Sequence, residues 1–220
     1  MAGRTFAVIA FGAWVALSAS VIRGAEPTAD ELAQALQRKY DAVADFSADF
    51  VHTYQGGVLK RKLTERGKVL IKKPGKMRWD YDAPERKQFI SDGARMYFYI
   101  PADRQVMVSP VPPDAAATTP ALFLAGKGRL VAEFAASYTD LPADLPTGNL
   151  ALKLVPKSKQ TEYDWLVLVV DPASLAIRGL VTIDAQGGSS TFAFTNLKEN
   201  VGLADDQFNF RIPRGVEVVG

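Results

Sequence analysis

KKPGKMRWDYDAPERKQFISDGARMYFYIPADRQVMV, residues 72–108, is the segment that decides the fold of this chain. Two runs within it place a large apolar side chain at every second position: Met77, Trp79 and Tyr81, then Met96, Phe98 and Ile100. A period of two predicts half-buried antiparallel strands. Asp92-Gly93 between the runs predicts a hairpin, because a tight primed turn needs positive φ.

Similar alternation extends through most of the chain. We predict further strands over residues 46–54, 64–73, 149–155, 165–170, 176–184 and 189–200. An amphipathic helix precedes them, with a capping box at Thr28 and Glu31 and an apolar stripe of Leu32, Leu36, Tyr40 and Val43. Smaller elements are a short helix after Thr119-Pro120, a helical piece over 129–136, a loop or helical turn over 202–210 and a closing segment over 213–219.

Many short strands in hairpin order, with a few small helices among them, predict a mainly β fold. We expect an unclosed antiparallel β-barrel, in effect a strongly curved sheet, capped on its concave face by short α-helices. A half-barrel of this kind leaves a cavity, and the apolar faces of helices can form its lid.

The first residues predict export. Arg4 is followed by residues 6–19, which carry no charge. This apolar block is shorter than the roughly 20 residues of a membrane span, and it suits a secretory signal. We expect residues 1–25 to be a signal peptide, cleaved between about residues 20 and 25, and residues 26–220 to be a single domain. The alternative is an uncleaved membrane anchor with Arg23 as its stop.

Composition excludes several classes of protein. The chain has no cysteine, so it has neither disulfides nor a lipid attached through cysteine. With 26 Lys and Arg against 24 Asp and Glu, its charge gives no support for nucleic-acid binding.

Candidate catalytic residues are few. His52 is the only histidine, which leaves too few ligands for a structural zinc site. A serine–histidine–carboxylate triad would have to use His52, yet the chain lacks a Gly-x-Ser-x-Gly elbow and a phosphate-binding glycine loop. We therefore expect His52 to be a strand residue of intermediate burial, and we expect neither enzymatic activity, cofactor nor metal.

Several short motifs occur together in a specific order. They are Lys72-Lys73-Pro74-Gly75-Lys76-Met77-Arg78-Trp79, Ser91-Asp92-Gly93, residues 96–101, Gln105-Val106, Thr119-Pro120, Phe208-Asn209-Phe210 and residues 213–218. In this order the chain resembles the LolA family, periplasmic carriers of outer-membrane lipoproteins. The resemblance covers nearly all of the chain after the signal, and it implies an unclosed barrel capped by helices.

The resemblance also implies a function and its residues. The cavity would hold the acyl chains of lipoproteins, lined by Leu32, Leu36, Phe50, Met77, Trp79, Phe89, Met96, Phe98, Leu122 and Phe123. For these residues an ordinary core role stays open. Lys73 stands where the family commonly has an arginine tied to lid closing and transfer. Lysine keeps the charge but loses the planar fork that can bond several carbonyls.

The implied partners are acylated lipoproteins, an inner-membrane ABC lipoprotein-release complex and an outer-membrane lipoprotein receptor, with the carrier itself a soluble periplasmic monomer. The receptor of the family shares the fold but is itself a lipoprotein, so the missing cysteine favours the carrier. The alternative function is a periplasmic sensing or interaction domain of the same fold, which reads lipid or protein without transporting it.

Overall fold

The computed structural model describes residues 27–58, 60–111, 129–160 and 163–219. Within them lie two helices, twelve strands and one turn of 3-10 helix, Asp205–Phe208. The helices are α1 (Ala29–Ala42) and α2 (Leu130–Glu133). The strands are β1 (Asp45–Gln55), β2 (Lys62–Lys72), β3 (Lys76–Ala83), β4 (Lys87–Asp92), β5 (Arg95–Ile100), β6 (Gln105–Pro110), β7 (Phe134–Tyr138), β8 (Leu150–Pro156), β9 (Trp165–Val170), β10 (Ile177–Ile183), β11 (Ser189–Glu199) and β12 (Glu217–Val219).

All twelve strands form one sheet, in the order β12-β6-β5-β4-β3-β2-β1-β11-β10-β9-β8-β7. The end strands β12 and β7 are not paired with each other, so the sheet is unclosed, as predicted. Neighbouring strands are antiparallel except β12, which runs parallel to β6. The predicted antiparallel pairing thus extends across the sheet except at this edge pair. Before β12 the chain crosses the face of the sheet opposite to α1, where Phe210 contacts Tyr97 and Tyr99. This path brings β12 beside β6 in the same direction.

One face of the sheet carries α1, and we call it the inner face. The predicted capping box is present, because Glu31 N–H donates to Thr28 Oγ1 and Thr28 N–H donates to Glu31 Oε2. The predicted stripe faces the sheet and is buried: Leu32, Leu36, Tyr40 and Val43. It joins a core to which β1, β2, β3, β8, β9, β10 and β11 all contribute.

The outer face is covered by loops. Leu141 and Leu145 pack on the outer side of β8, β9 and β10, and β9 is consequently buried on both faces. Phe210 and Val216 cover Ile90 and Tyr97 near the other end of the sheet. Within the described ranges, neither helix has the length and apolar character of a membrane-spanning segment.

The helical prediction for residues 129–136 is correct only in its first half. Helix α2 ends at Glu133, and Phe134 begins β7, which pairs with β8 from Phe134 opposite Pro156 to Tyr138 opposite Leu152. Phe134 and Ala136 alternate onto the inner core, so strand pairing prevails over the local helical pattern. The predicted signal peptide, the helix after Thr119-Pro120, and Leu122 and Phe123 lie outside the described residues.

Candidate functional site

The inner face carries a group of aromatic side chains that we call the aromatic wall: Phe50, Trp79, Tyr81, Phe192 and Phe194. The Phe50 ring stands edge-on to Trp79 at 5.2 Å and to Tyr81 at 4.9 Å between ring centroids. Trp79 also meets Phe192 edge-on at 5.2 Å. These are favoured arrangements of aromatic pairs, each stabilising by about 0.5–1.5 kcal/mol beyond area burial.

The exposed fraction of the side chains rises along the inner face of β3. Met77, at the α1 end of β3, is fully buried, and Trp79 is 4% exposed. Tyr81, two residues further along the same face, is half-buried, as is Phe192. The wall therefore runs from the apolar core beneath α1 to the open end of the inner face.

Trp79 carries an unusual polar atom. Its Nε1–H is buried and finds no hydrogen-bond acceptor within the described part of the chain. The ring neighbours Phe50, Phe192 and Phe194 supply no acceptor either. A buried donor left unpaired costs about 1–3 kcal/mol, and such groups are rare in folded proteins.

A polar network lies at the open end of the wall. His52 Nδ1 is 3.1 Å from Glu65 Oε2, and His52 Nε2 is 2.7 Å from Ser190 Oγ. Glu65 also pairs with Lys87, whose Nζ is 2.6 Å from Oε1. The imidazole stacks on Phe192 at 4.2 Å between ring centroids. Burial lowers the pKa of His52, although its hydrogen bond with Glu65 opposes the shift.

Hydroxyl, imidazole and carboxylate are thus in the order of a catalytic triad, yet the geometry does not suit acyl transfer. Ser190 lies on β11 between β1 and β10, opposite Tyr54 and Thr182. The backbone N–H groups of a central strand are committed to the ladder, whereas an oxyanion hole needs free ones. The network instead fixes the His52 ring. The prediction of intermediate burial for His52 is confirmed. In the described ranges, no cluster of three or more metal-ligating side chains could hold a metal ion.

Comparison with known proteins identifies the family. The family model for the outer membrane lipoprotein carrier protein LolA matches residues 41–211. The chain belongs to the LolA family. It is 32% identical over 188 residues to an outer-membrane lipoprotein carrier protein of Chromohalobacter salexigens, covering 85% of this chain and 86% of that protein. The corresponding protein of Pseudomonas syringae pv. tomato is 31% identical, with 86% of each chain covered.

Solved structures share the fold. An uncharacterized conserved protein from Thermus thermophilus superposes with a TM-score of 0.51 and 18% identity, covering 85% of this chain and 96% of that chain. The predicted LolA membership and the mainly β, unclosed fold are therefore confirmed, and proteins of this carrier family are not enzymes.

Most of the predicted cavity residues are brought together on the inner face of this LolA protein. Five of them lie in the core between α1 and the sheet and are at most 4% exposed: Leu32, Leu36, Phe50, Met77 and Trp79. The other three described ones are half-buried on the strands beyond: Phe89, Met96 and Phe98. Phe89 lies opposite both Trp79 and Phe98, which places all three on the same face.

A cavity of about 230 Å³ lies at the start of α1, bounded by residues that include Leu32, Tyr138, Leu150 and Leu175. It is smaller than the roughly 300–1,000 Å³ of typical small-molecule sites. Leu36 and Phe50 are buried between α1 and the sheet in the described part of the chain. Lipid contact by the ten residues stays a prediction.

Lys73, the predicted latch of this LolA chain, contacts α1. Its Nζ donates a hydrogen bond to the carbonyl of Tyr40 in the last turn of the helix and lies 5.8 Å from the centre of the Tyr40 ring. Burial lowers the pKa of Lys73, and the nearby Asp41 opposes the shift. A cation near the last carbonyls of a helix is favourable. The latch role itself stays a prediction.

Sequence reasoning missed the partners of His52. Glu65, Lys87 and Ser190 come from three different strands, and nothing in their local sequence marks them. Alternation along β1 places His52 on the same face as Phe50, which is the one available signal. Their meeting depends on the register between β1 and its neighbours, with Glu65 directly opposite His52.

Proposed function

We propose that this protein is an outer-membrane lipoprotein carrier that encloses the acyl chains of its cargo between α1 and the inner face of the sheet. The observation that carries the proposal is the apolar surface of the inner face, which runs from Met77 through the aromatic wall to Phe89 and Phe98 and lies in part beneath the amphipathic helix α1. Membership in a family of lipoprotein carriers supports it.

The energetics require such a surface. Each buried CH₂ contributes about 0.8 kcal/mol, so one acyl chain of about 15 carbons is held in a membrane by on the order of 10 kcal/mol. Transfer to water is therefore prohibitive, whereas transfer to a protein interior of similar apolarity is nearly neutral. Flexible Met77 and Met96 suit such a role, because Met adapts its shape to disordered chains.

Opening of the carrier would separate α1 from the sheet. Among the described residues, the polar contacts that hold the C-terminal half of the helix involve Gln37, Lys39 and Tyr40. Gln37 Oε1 accepts from Leu130 N–H at 2.7 Å, and Lys39 Nζ contacts the Ser174 carbonyl at 2.9 Å and Glu199 at 2.8 Å. Tyr40 accepts from Lys73 Nζ through its carbonyl and from Ile177 N–H through Oη at 3.0 Å. The apolar contacts of Leu32 and Leu36 can be replaced by contacts with acyl chains. Contacts with the cargo thus replace the apolar contacts that α1 loses when it separates from the sheet.

The site of action follows from the same proposal. The protein is exported by residues 1–25 and acts in the periplasm as one domain, residues 26–220. It receives lipoproteins from an inner-membrane ABC release complex and delivers them to an outer-membrane receptor. The signal-like apolar block and the absence of cysteine support a carrier that is itself without a lipid anchor.

Two measurements test the function. Purified protein should bind an apolar fluorescent dye, and a fatty acid should displace it. Depletion in cells should make lipoproteins accumulate at the inner membrane. Intact lipoprotein sorting after depletion would contradict the carrier function and would favour a sensing domain of the same fold.

A further inference from the structure

The structure points to a specific polar contact with the cargo, an inference that rests on the proposed function. We propose that the buried Nε1–H of Trp79 donates a hydrogen bond to the carbonyl oxygen of an acyl linkage, the ester or amide that joins a fatty chain to the lipoprotein. Trp79 is then more than apolar lining: it sets the depth to which a chain enters.

The argument begins with the missing acceptor. Trp79 is 4% exposed, and its Nε1–H is unpaired within the described ranges. The strand that carries it, β3, lies between β2 and β4, so the carbonyls beside it are engaged in the ladder. A water molecule at this point would need two to four polar partners. The rings of Phe50, Phe192 and Phe194 provide none.

Polarity along β3 indicates which acceptor fits. Met77 is fully buried, whereas Tyr81 is half-buried and carries Lys87 Nζ at 4.5 Å over its ring. Successive same-face residues on a strand are roughly 6.7 Å apart. Trp79 thus lies about one step from wholly apolar surroundings and one step from charged ones.

The polarity of a lipid anchor changes along its length in the same way as the polarity along β3. Its alkyl tail is apolar, its glyceryl and peptide end is polar, and the acyl carbonyl lies at the boundary. An anchor placed with its tail toward Met77 and its polar end toward His52 and Ser190 brings a carbonyl to Trp79. Ser190 Oγ and His52 Nε2 are already hydrogen-bonded to each other, so the ring and hydroxyl are held in place at the polar end.

The test compares two probes that differ only in the carbonyl. Dioctanoylglycerol has ester carbonyls, and dioctylglycerol ether has CH₂ groups in their place. One recovered hydrogen bond is worth roughly 3- to 10-fold in affinity. We expect Trp79→Phe to lower the ester-to-ether affinity ratio by that factor, because Phe keeps an aromatic ring and lacks the donor.

Trp165→Phe is the matched control. Trp165 packs with the outer-face cluster, with Lys153 Nζ 4.5 Å from its ring centre, so its loss should leave the ratio unchanged. An equal ratio in wild type and Trp79→Phe would overturn the inference while leaving the carrier function intact. Failure of wild type to bind either probe would overturn the function as well.

A second measurement does not depend on the folding of a Trp79 variant. In Trp165→Phe protein lacking the signal, Trp79 is the only tryptophan, and its indole N–H gives a single resonance. The ester probe should shift this proton downfield, as a new acceptor does, and the ether probe should not. Identical responses to the two probes would refute the hydrogen bond.

Discussion

Phe50 of β1 lies directly opposite Gly67 of β2, and the tip of its ring comes within 3.0 Å of where a Cβ on Gly67 would stand. The same Cβ would lie 1.9 Å from the carbonyl oxygen of Asp80 on β3. The absence of a side chain at Gly67 therefore lets Phe50 lie flat across β2 and meet both Trp79 and Tyr81. A glycine on the neighbouring strand thus helps to build the aromatic wall.

Gly67→Ala should be strongly destabilising for this reason. Since the clash is with backbone, we expect a loss of about 3 kcal/mol in the free energy of unfolding. Urea denaturation measures it. Gly56→Ala is the control, because a Cβ there would meet Tyr54 ring atoms only at 4.0 Å, and its effect should stay within about 0.5 kcal/mol. Equal stability of the two variants would refute the steric argument.

Asp45 should be a second determinant of stability. This 5% exposed carboxylate accepts hydrogen bonds from the backbone N–H groups of Val201, Gly202 and Leu203, at 2.7 to 3.2 Å. Asp45→Ala would leave these donors without their acceptor, so we expect thermal and urea unfolding to show a loss of about 3 kcal/mol.

A matched control for Asp45 is available on the same strand. Asp49 Oδ2 accepts a hydrogen bond from Asn196 Nδ2 at 2.7 Å in an exposed position. Water can replace that bond, so Asp49→Ala should cost less than about 1 kcal/mol. Losses of similar size in the two alanine variants would show that the burial of Asp45 is unimportant.

His52 should make stability depend on pH. Burial lowers its pKa in the folded state below the ordinary value near 6.5, so the unfolded chain binds a proton more readily. The contribution of neutral His52 to the free energy of unfolding is complete above the pKa of the unfolded state. It is lost as pH falls toward the lower pKa of the folded state. Wild type should therefore lose more stability between pH 7.5 and 5.5 than His52→Gln does. Because His52 is the only histidine, NMR titration of its ring reports the pKa directly. Parallel stability curves would exclude it as the source.

Lys73→Glu should impair lipoprotein transfer. It replaces the donor to the Tyr40 carbonyl by a group that repels this carbonyl, and it places negative charge at the end of α1. A hydrogen bond from a charged donor is worth roughly tenfold in an equilibrium, and we expect a reduction of that order in reconstituted transfer.

The matched control for Lys73 lies five residues earlier. Lys68→Glu makes the same charge change at an exposed position of β2, so it should transfer normally. Lys73→Arg should retain most of the activity, since guanidinium can also donate to the carbonyl. Normal transfer by Lys73→Glu would remove Lys73 from the mechanism.

How far the fold could be predicted differs between elements. Alternation predicts β1, β2 and β8 to β11 to within about two residues at most ends, because hydrophobic periodicity is a local property. The nature of β7 is not local: Phe134 becomes strand because β8 is available to pair with it. The parallel direction of β12 likewise depends on the path of the preceding chain across the outer face.

In the candidate site, too, some features follow from the local sequence and others depend on distant parts of the chain. Trp79, Phe50 and Met77 can be assigned to one face from the period of two alone. The pairing of His52 with Glu65 and Ser190 needs the register between strands, and the unpaired Nε1–H of Trp79 needs the full set of its neighbours. Lys73 could be singled out only through the resemblance to a family, since a lysine before proline carries no local signal of its own.

The two end strands of the sheet have a consequence for solubility. An unclosed sheet exposes backbone groups that can recruit another copy, which leads toward fibres. Here β12 offers only three residues and β7 five, and α1 packs against β7. Each margin is too short to template the growth of a ribbon. Short end strands thereby protect a carrier of the proposed kind from polymerising while its apolar interior is open.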